Sequence, residues 1–130
     1  MAESPRKRIL VIDDASLVRL YYRDALERAG FEVDEAMNGI EATEKLLAAP
    51  ADLLVVDVNM PQMDGLTFLA NLRARALPLA SIPALVTSSE AAVRDMDAAR
   101  AAGANYYLVK PISQEKLVAH VALLCGVPHG

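Results

Sequence analysis

The sequence predicts an α/β fold, with five parallel strands in the order 2-1-3-4-5 flanked by five helices. Two observations carry that prediction. Short apolar runs alternate with helical stripes five times along the chain, and such alternation builds a parallel sheet through right-handed crossovers. The second run is charged whereas the first and third are continuously apolar. That places run two at a sheet edge and the other two where both faces are covered.

The elements follow in order. Ile9-Leu-Val-Ile12 is the first strand. Val18, Tyr21, Tyr22, Ala25, Leu26 and Ala29 then form an amphipathic stripe that Gly30 terminates. Glu32-Val-Asp-Glu-Ala36 is the polar edge strand, and Asn38 with Glu41 three residues later starts a helix that ends before Pro50. Leu53-Leu-Val-Val-Asp-Val58 is the third strand. Asp64 caps the next helix, which turns Leu66, Leu69 and Leu72 inward. Ala84-Leu-Val86 is the fourth strand. An Ala-rich helix over Ala91–Ala102 has a poor apolar stripe and stops at Gly103. Tyr106-Tyr-Leu-Val109 is the fifth strand, and Leu117, Val118, Val121 and Leu124 stripe the last helix before Gly126. Residues 1–7 and 126–130 read as loose ends around a core of about 7–125.

Composition bounds the function. The 130 residues make one domain, and 54 % hydrophobic against 23 % charged excludes disorder. A net charge of −4 lacks the basic footprint of nucleic-acid binding. No apolar stretch approaches the roughly 18 residues needed to span a bilayer, and Ile9–Ile12 is too short for a signal-peptide core. The single cysteine, Cys125, excludes an internal disulfide framework, so a cytoplasmic protein without membrane insertion is expected. Met60, Met63 and Met96 read as packing residues. His120 and His129 have no ligand-spaced partner.

Four chemically loaded positions follow or end strand runs: Asp13-Asp14, Asp57, Thr87 and Lys110. Open α/β sheets bind ligands outside the carboxyl ends of their strands, and in a flavodoxin-like order strands 1, 3, 4 and 5 are consecutive neighbours. With strands about 4.8 Å apart, these residues converge at one edge, and the long Lys110 side chain covers the remaining gap. Crowded carboxylates call for a hard divalent cation. A carboxylate nucleophile forms an aspartyl-phosphate, and a lysine and a hydroxyl bind phosphoryl oxygens. The crowding also predicts that replacing Asp13 or Asp57 by Ala raises the metal-free melting temperature.

Lys7-Arg-Ile-Leu-Val-Ile-Asp-Asp14, Asp57-Val-Asn-Met-Pro-Gln-Met-Asp-Gly65, Val86-Thr87-Ser88 and Gly103-Ala-Asn-Tyr-Tyr-Leu-Val-Lys-Pro111 together resemble a response-regulator receiver domain. The resemblance spans essentially the whole chain, as one receiver domain over 1–130, and is nearest to the single-domain chemotaxis type. It implies that Asp57 is the phosphoacceptor. Asp13, Asp14, Asp57 and the backbone carbonyl of Asn59 would hold Mg²⁺, with Mn²⁺ able to substitute. Thr87 and Lys110 would bind the phosphoryl group, Tyr107 would move with Thr87 as a switch, and the Lys110–Pro111 peptide bond would be cis. The implied partners are a histidine kinase or histidine phosphotransfer protein and a phospho-selective output protein, with the flagellar switch leading and the chain monomeric. Stand-alone phosphorelay intermediates and phosphate sinks share the same pattern.

Plainer readings stand beside these. Asp13 and Asp14 would cap the first helix, Thr87 with Glu90 has capping-box spacing for the fourth, Lys110-Pro111 is a turn signal, and Tyr107 is a core residue. Two other functions are weighed. A haloacid-dehalogenase-like phosphatase uses a similar set but places a second carboxylate two residues after the nucleophile, where this chain has Asn59. A flavin or dinucleotide carrier needs a Gly-rich first turn, where this chain has Asp13-Asp-Ala-Ser16.

Overall fold

A computed structural model describes residues 6–127. The strands are β1 (Arg8–Ile12), β2 (Glu32–Ala36), β3 (Leu53–Asp57), β4 (Ala84–Ser88) and β5 (Tyr106–Val109). The helices are α1 (Ser16–Arg28), α2 (Gly39–Ala48), α3 (Gly65–Arg73), α4 (Val93–Ala102) and α5 (Gln114–Cys125). The sheet is parallel with the order β2-β1-β3-β4-β5, the flavodoxin-like arrangement that the sequence predicts.

Strand residues alternate between two faces, and each face has its own core. Ile9, Val11, Leu53, Val55, Leu85 and Leu108 pack with Tyr22, Leu26, Leu117 and Val121 beneath α1 and α5. Leu10, Ile12, Leu54, Val56, Ala84 and Val86 pack with Leu46, Phe68, Leu69 and Leu72 beneath α2 and α3. Residue Ala99 is the one fully buried contact that α4 contributes, so its thin stripe yields a thinly anchored helix.

Local chemistry sets the helix ends. The Asn38 side chain accepts the Glu41 N–H at 2.8 Å, while the Glu41 carboxylate takes the N–H of Met37 rather than that of Asn38. Asp64 caps α3 by accepting the Thr67 N–H at 2.9 Å. Gly103 closes α4 at φ 111°, a left-handed conformation that favours glycine.

Several expectations need correction. The α1 stripe is narrower than the pattern predicts, because Tyr21 and Ala29 face outward. Strand β4 runs on through Thr87 and Ser88, and α4 begins at Val93 behind Ala92, which makes no side-chain cap. Thr87 therefore caps nothing, and the capping-box spacing to Glu90 is incidental. Neither Asp13 nor Asp14 is the N-cap of α1, a position held by Ala15. Of the residues expected to be loose, Lys7, Gly126 and Val127 are held in place. The Lys7 carbonyl accepts the Glu32 N–H, Gly126 closes α5, and Val127 packs on the core. Residues 1–5 and 128–130, with His129, lie outside the described residues.

The charged edge strand is tied down rather than left open. Arg8 and Lys45 reach Asp34, and Arg19 and Arg23 both reach Glu35. Met60 is buried, Met63 and Met96 are half-buried, and burial pushes the half-buried Cys125 thiol up to about 11. That keeps the thiol protonated and inert at neutral pH. Tyr106 stacks on His120 with ring centroids 4.7 Å apart. Among the described residues, no helix is long and apolar enough to cross a membrane.

Candidate phosphoryl-accepting site

Four strand ends build the site. Asp13 follows β1, Asp57 ends β3, Thr87 lies near the end of β4, and Lys110 follows β5. The parallel register puts Asp57 directly opposite Thr87, and the Val58 N–H reaches the Thr87 carbonyl at 3.0 Å. The Lys110 N–H reaches the Ser88 carbonyl at 2.7 Å, which sews the β5–α5 turn to the end of β4. The Lys110–Pro111 peptide bond is cis, as is Leu77–Pro78, for which the sequence carried no expectation.

Asp13 and Asp57 are 1 % and 5 % exposed, whereas Asp14 faces solvent. Carboxylate oxygens of Asp13, Asp14 and Asp57 all lie within 4.8 Å of one another. The Lys110 ammonium sits between two of them, 3.1 Å from Asp57 Oδ1 and 3.2 Å from Asp13 Oδ2. Asp13 Oδ1 also accepts the Ala15 N–H at 2.9 Å. Replacing Asp13 would therefore remove bonds as well as charge, so the stabilisation expected on removing an acid is restricted to Asp57.

The electrostatics match this crowding. Burial, then the neighbouring Asp13, hold the Asp57 carboxyl above the usual carboxylate range despite the Lys110 contact. Burial works to lower Lys110, but its hydrogen bond to Asp57 and the charge of Asp13 outweigh that and raise it. Tyr22 lies beneath the site, and burial pushes its phenol up to about 12. Sequence reasoning passed over Tyr22 as a site neighbour because its helical spacing explains it fully as core.

Thr87 is completely buried, and its hydroxyl has no hydrogen-bond partner among the described residues. An unpaired buried hydroxyl costs about 1–3 kcal/mol. Thr87 stands beside Asp57, its direct partner in the β3–β4 register. Ser88 is also buried, but its Oγ takes the Glu90 N–H at 3.0 Å. Tyr107 is half-buried and its hydroxyl donates to the Glu90 carbonyl at 2.7 Å, linking β5 to the β4–α4 loop. Asn59 is exposed two residues beyond Asp57 in the β3–α3 loop.

That loop is positioned by Gly65. A Cβ there would stand 2.2 Å from the Asp57 backbone oxygen, so only glycine lets α3 start against the end of β3. Gly65→Ala is expected to cost about 1–3 kcal/mol, the usual range for overpacking, and to displace Asp57. Urea denaturation checks the first part. A native-like midpoint would mean that the loop gives way freely.

The donor set suits a hard divalent cation. Three carboxylates against one ammonium leave two negative charges in a cluster of oxygen donors, and Mg²⁺ binds through carboxylates and water.

The carboxyl edge of this sheet thus brings together a buried aspartate, a facing hydroxyl and a lysine. The family model for the response regulator receiver domain matches residues 9–122, and the chain belongs to that family. Receiver domains bind Mg²⁺ in an acidic pocket and act as signalling domains between histidine kinases and output proteins. The chain is 39 % identical over 117 residues to the transcriptional regulatory protein PrrA of Mycobacterium leprae, covering 90 % of this chain and 49 % of that protein. PrrA of Mycobacterium tuberculosis matches to the same extent. The chain thus spans about half the length of the curated relatives it matches. Among solved structures it is similar to the chemotaxis protein CheY4 of Vibrio cholerae, at 30 % identity and a TM-score of 0.86, over 92 % of this chain and 99 % of that one. The receiver domain of the Francisella response regulator 1452 superposes with a TM-score of 0.86 at 26 % identity, covering 93 % of this chain and 98 % of that one. Family membership decides against the dehalogenase-like alternative.

Proposed function

We propose that the chain is a phosphoacceptor switch in which Asp57 takes a phosphoryl group from the phosphohistidine of a histidine kinase or histidine phosphotransfer protein. The observation that carries this is the Lys110 ammonium 3.1 Å from Asp57 Oδ1, beside a buried Thr87 hydroxyl that lacks a partner among the described residues. Lys110 holds one oxygen of Asp57 and leaves Oδ2 to attack phosphorus in line. The O–P bond forms as the P–N bond breaks. The electron pair stays on the imidazole nitrogen, and with its other nitrogen protonated the ring leaves neutral. Asp13, Asp14, Asp57 and the Asn59 carbonyl would hold Mg²⁺, with Mn²⁺ as a substitute. When bound, this ion neutralises charge on the carboxylates and phosphoryl oxygens.

The new phosphoryl oxygens accept from Thr87 and from Lys110. Moving Thr87 shifts the end of β4, and the Tyr107–Glu90 contact carries that shift into the β4–α4 loop. The weakly anchored α4 then offers partners a different face, with affinity set by differential contacts in the two states. Phosphotransfer and hydrolysis of the aspartyl-phosphate are its only chemistry, and the chain acts as a cytoplasmic monomer. The leading output is the flagellar switch, supported by the likeness to CheY4 over 99 % of that chain. A second reading, control of transcription, is favoured by the 39 % identity to PrrA.

Intact mass after incubation with acetyl phosphate tests the chemistry. We expect a gain of one phosphoryl group that needs Mg²⁺ and is abolished in Asp57→Asn. No gain, together with failure to bind beryllofluoride, would overturn the switch. Binding of the beryllofluoride-loaded chain to flagellar switch protein separates the two outputs, and equal binding without beryllofluoride would sink the chemotaxis reading.

A further inference from the structure

Asp13 and Asp14 sit in the turn between β1 and α1, and something must fix the plane of the peptide that joins them. The Asp13 N–H is held by the Ala36 carbonyl at 3.1 Å, and the Asp13 side chain by Ala15 and Lys110. The Asp13 carbonyl accepts from Arg19 Nη1 at 2.7 Å. Arg19 is one turn into α1, and its side chain is only 14 % exposed. Its Nε donates to Glu35 Oε1 at 2.9 Å. Glu35 is held in turn by Arg23, whose Nη1 lies 2.7 Å from Oε2. The contact therefore runs from β2, through a guanidinium, to the peptide between the two acids.

We infer that Arg19 is a positioning residue for the acid pair, orienting the Asp13–Asp14 peptide through its carbonyl and so setting where the Asp14 carboxylate stands relative to Asp13 and Asp57. This rests on the reading of Asp13 and Asp14 as cation ligands. The geometry needs a fork: one nitrogen serves Glu35 while another serves the Asp13 carbonyl. Arginine provides both from one rigid plane, whereas the single nitrogen of lysine cannot hold that geometry. Partial burial keeps water from competing for either bond. Glu35 orients the fork and Arg23 supports Glu35, but Arg23 makes no hydrogen bond to the turn among the described residues.

That asymmetry supplies the test. Mg²⁺ affinity is measured by titration calorimetry on the full chain, with no phosphodonor present. Groups that orient metal ligands typically change affinity by about 10–100-fold when lost. Arg19→Met and Arg19→Lys are expected to weaken Mg²⁺ binding by about tenfold or more, while Arg23→Met stays within about threefold. Amide hydrogen exchange in metal-free protein gives a second readout, with the Ala15 N–H, which Asp13 Oδ1 holds at 2.9 Å, exchanging faster in both Arg19 variants than in Arg23→Met. If Arg19→Met fails to fold, Arg19→Lys carries the test, because it keeps the charge facing Glu35. Native affinity and native exchange in Arg19→Lys would overturn the positioning role alone. Equal losses in Arg23→Met would also overturn it, by assigning the effect to the ion-pair network. No Mg²⁺ binding by the native chain would overturn the cation-ligand reading itself.

Discussion

Lys110→Met is expected to lower the metal-free stability of the protein by about 2–3 kcal/mol at neutral pH. Removing one partner from a fully buried ion pair costs about 3–5 kcal/mol, because the other charge is left uncompensated. Here two carboxylates lose the same cation, and both are nearly inaccessible to water. The Lys110 side chain itself is 26 % exposed, so solvent screens part of the interaction and the lower figure applies. Methionine keeps most of the aliphatic stem, which isolates the charge from the packing. For a domain of this size the loss corresponds to roughly 10 °C in melting temperature. Two controls separate this cause from general damage. Saturating Mg²⁺ should recover much of the loss, since a cation replaces a cation. A second substitution, Asp57→Asn, should recover part of it in the double variant, giving a coupling between the two positions. An unchanged melting temperature in chelator would mean that the ammonium contributes nothing to holding the acids together.

The parts of this site that were legible in the sequence are those set by strand order and side-chain pattern. Asp57 interrupts an otherwise apolar run, and a charge there demands a partner. Strand–helix alternation then brings Asp13, Asp57, Thr87 and Lys110 to one edge, because the crossovers leave little other choice of neighbours. Local signals were less reliable where two explanations fitted. Thr87 and Glu90 have the spacing of a helix cap, yet β4 absorbs Thr87 and the chain crosses residues 89–92 before α4 begins. Side chains that bond to distant carbonyls leave no trace in any pattern. Arg73, in the last turn of α3, grips the carbonyls of Gly103 and Ala80 and the side chain of Asn105. Arg19 falls outside the apolar stripe of α1, and only the fold reveals that Glu35 and the Asp13 carbonyl both lie within its reach. Periodicity reports which face a residue occupies. It does not report which backbone atom that face will meet.

Asp57→Asn is expected to act in the opposite direction from Lys110→Met, raising the metal-free melting temperature at neutral pH by a few degrees, or about 1 kcal/mol. The folded protein holds the Asp57 carboxyl above its ordinary value of 3.8, through burial first and the charge of Asp13 next. Between that ordinary value and the raised one, the native state binds more protons than the unfolded chain. Stability therefore falls as pH rises through this window, and the penalty is complete above it. Asparagine removes the penalty while keeping the shape, and its amide oxygen can still accept from Lys110. The gain should thus vanish near pH 3.8 and grow to its full size at neutral pH. Other titrating groups do not mimic this. Burial works to raise Glu35 and Asp34, but Arg23 and Arg19 on one and the Glu35 N–H and Lys45 on the other hold them low. Those two contribute stability that is lost on acidification, in both proteins alike, so they cancel in the difference. Lys110 is raised, so its contribution is present throughout the acid and neutral range and fades only at alkaline pH. Melting both proteins in chelator from about pH 3.5 to pH 8 measures the difference directly. Saturating Mg²⁺ should shrink or reverse it, because ligand binding stabilises the native chain more than a variant that has lost a carboxylate. A variant that melts below the native protein in chelator at pH 7 would show that Asp57 is held by Lys110 at a net gain, and that the site is not poised to receive a cation.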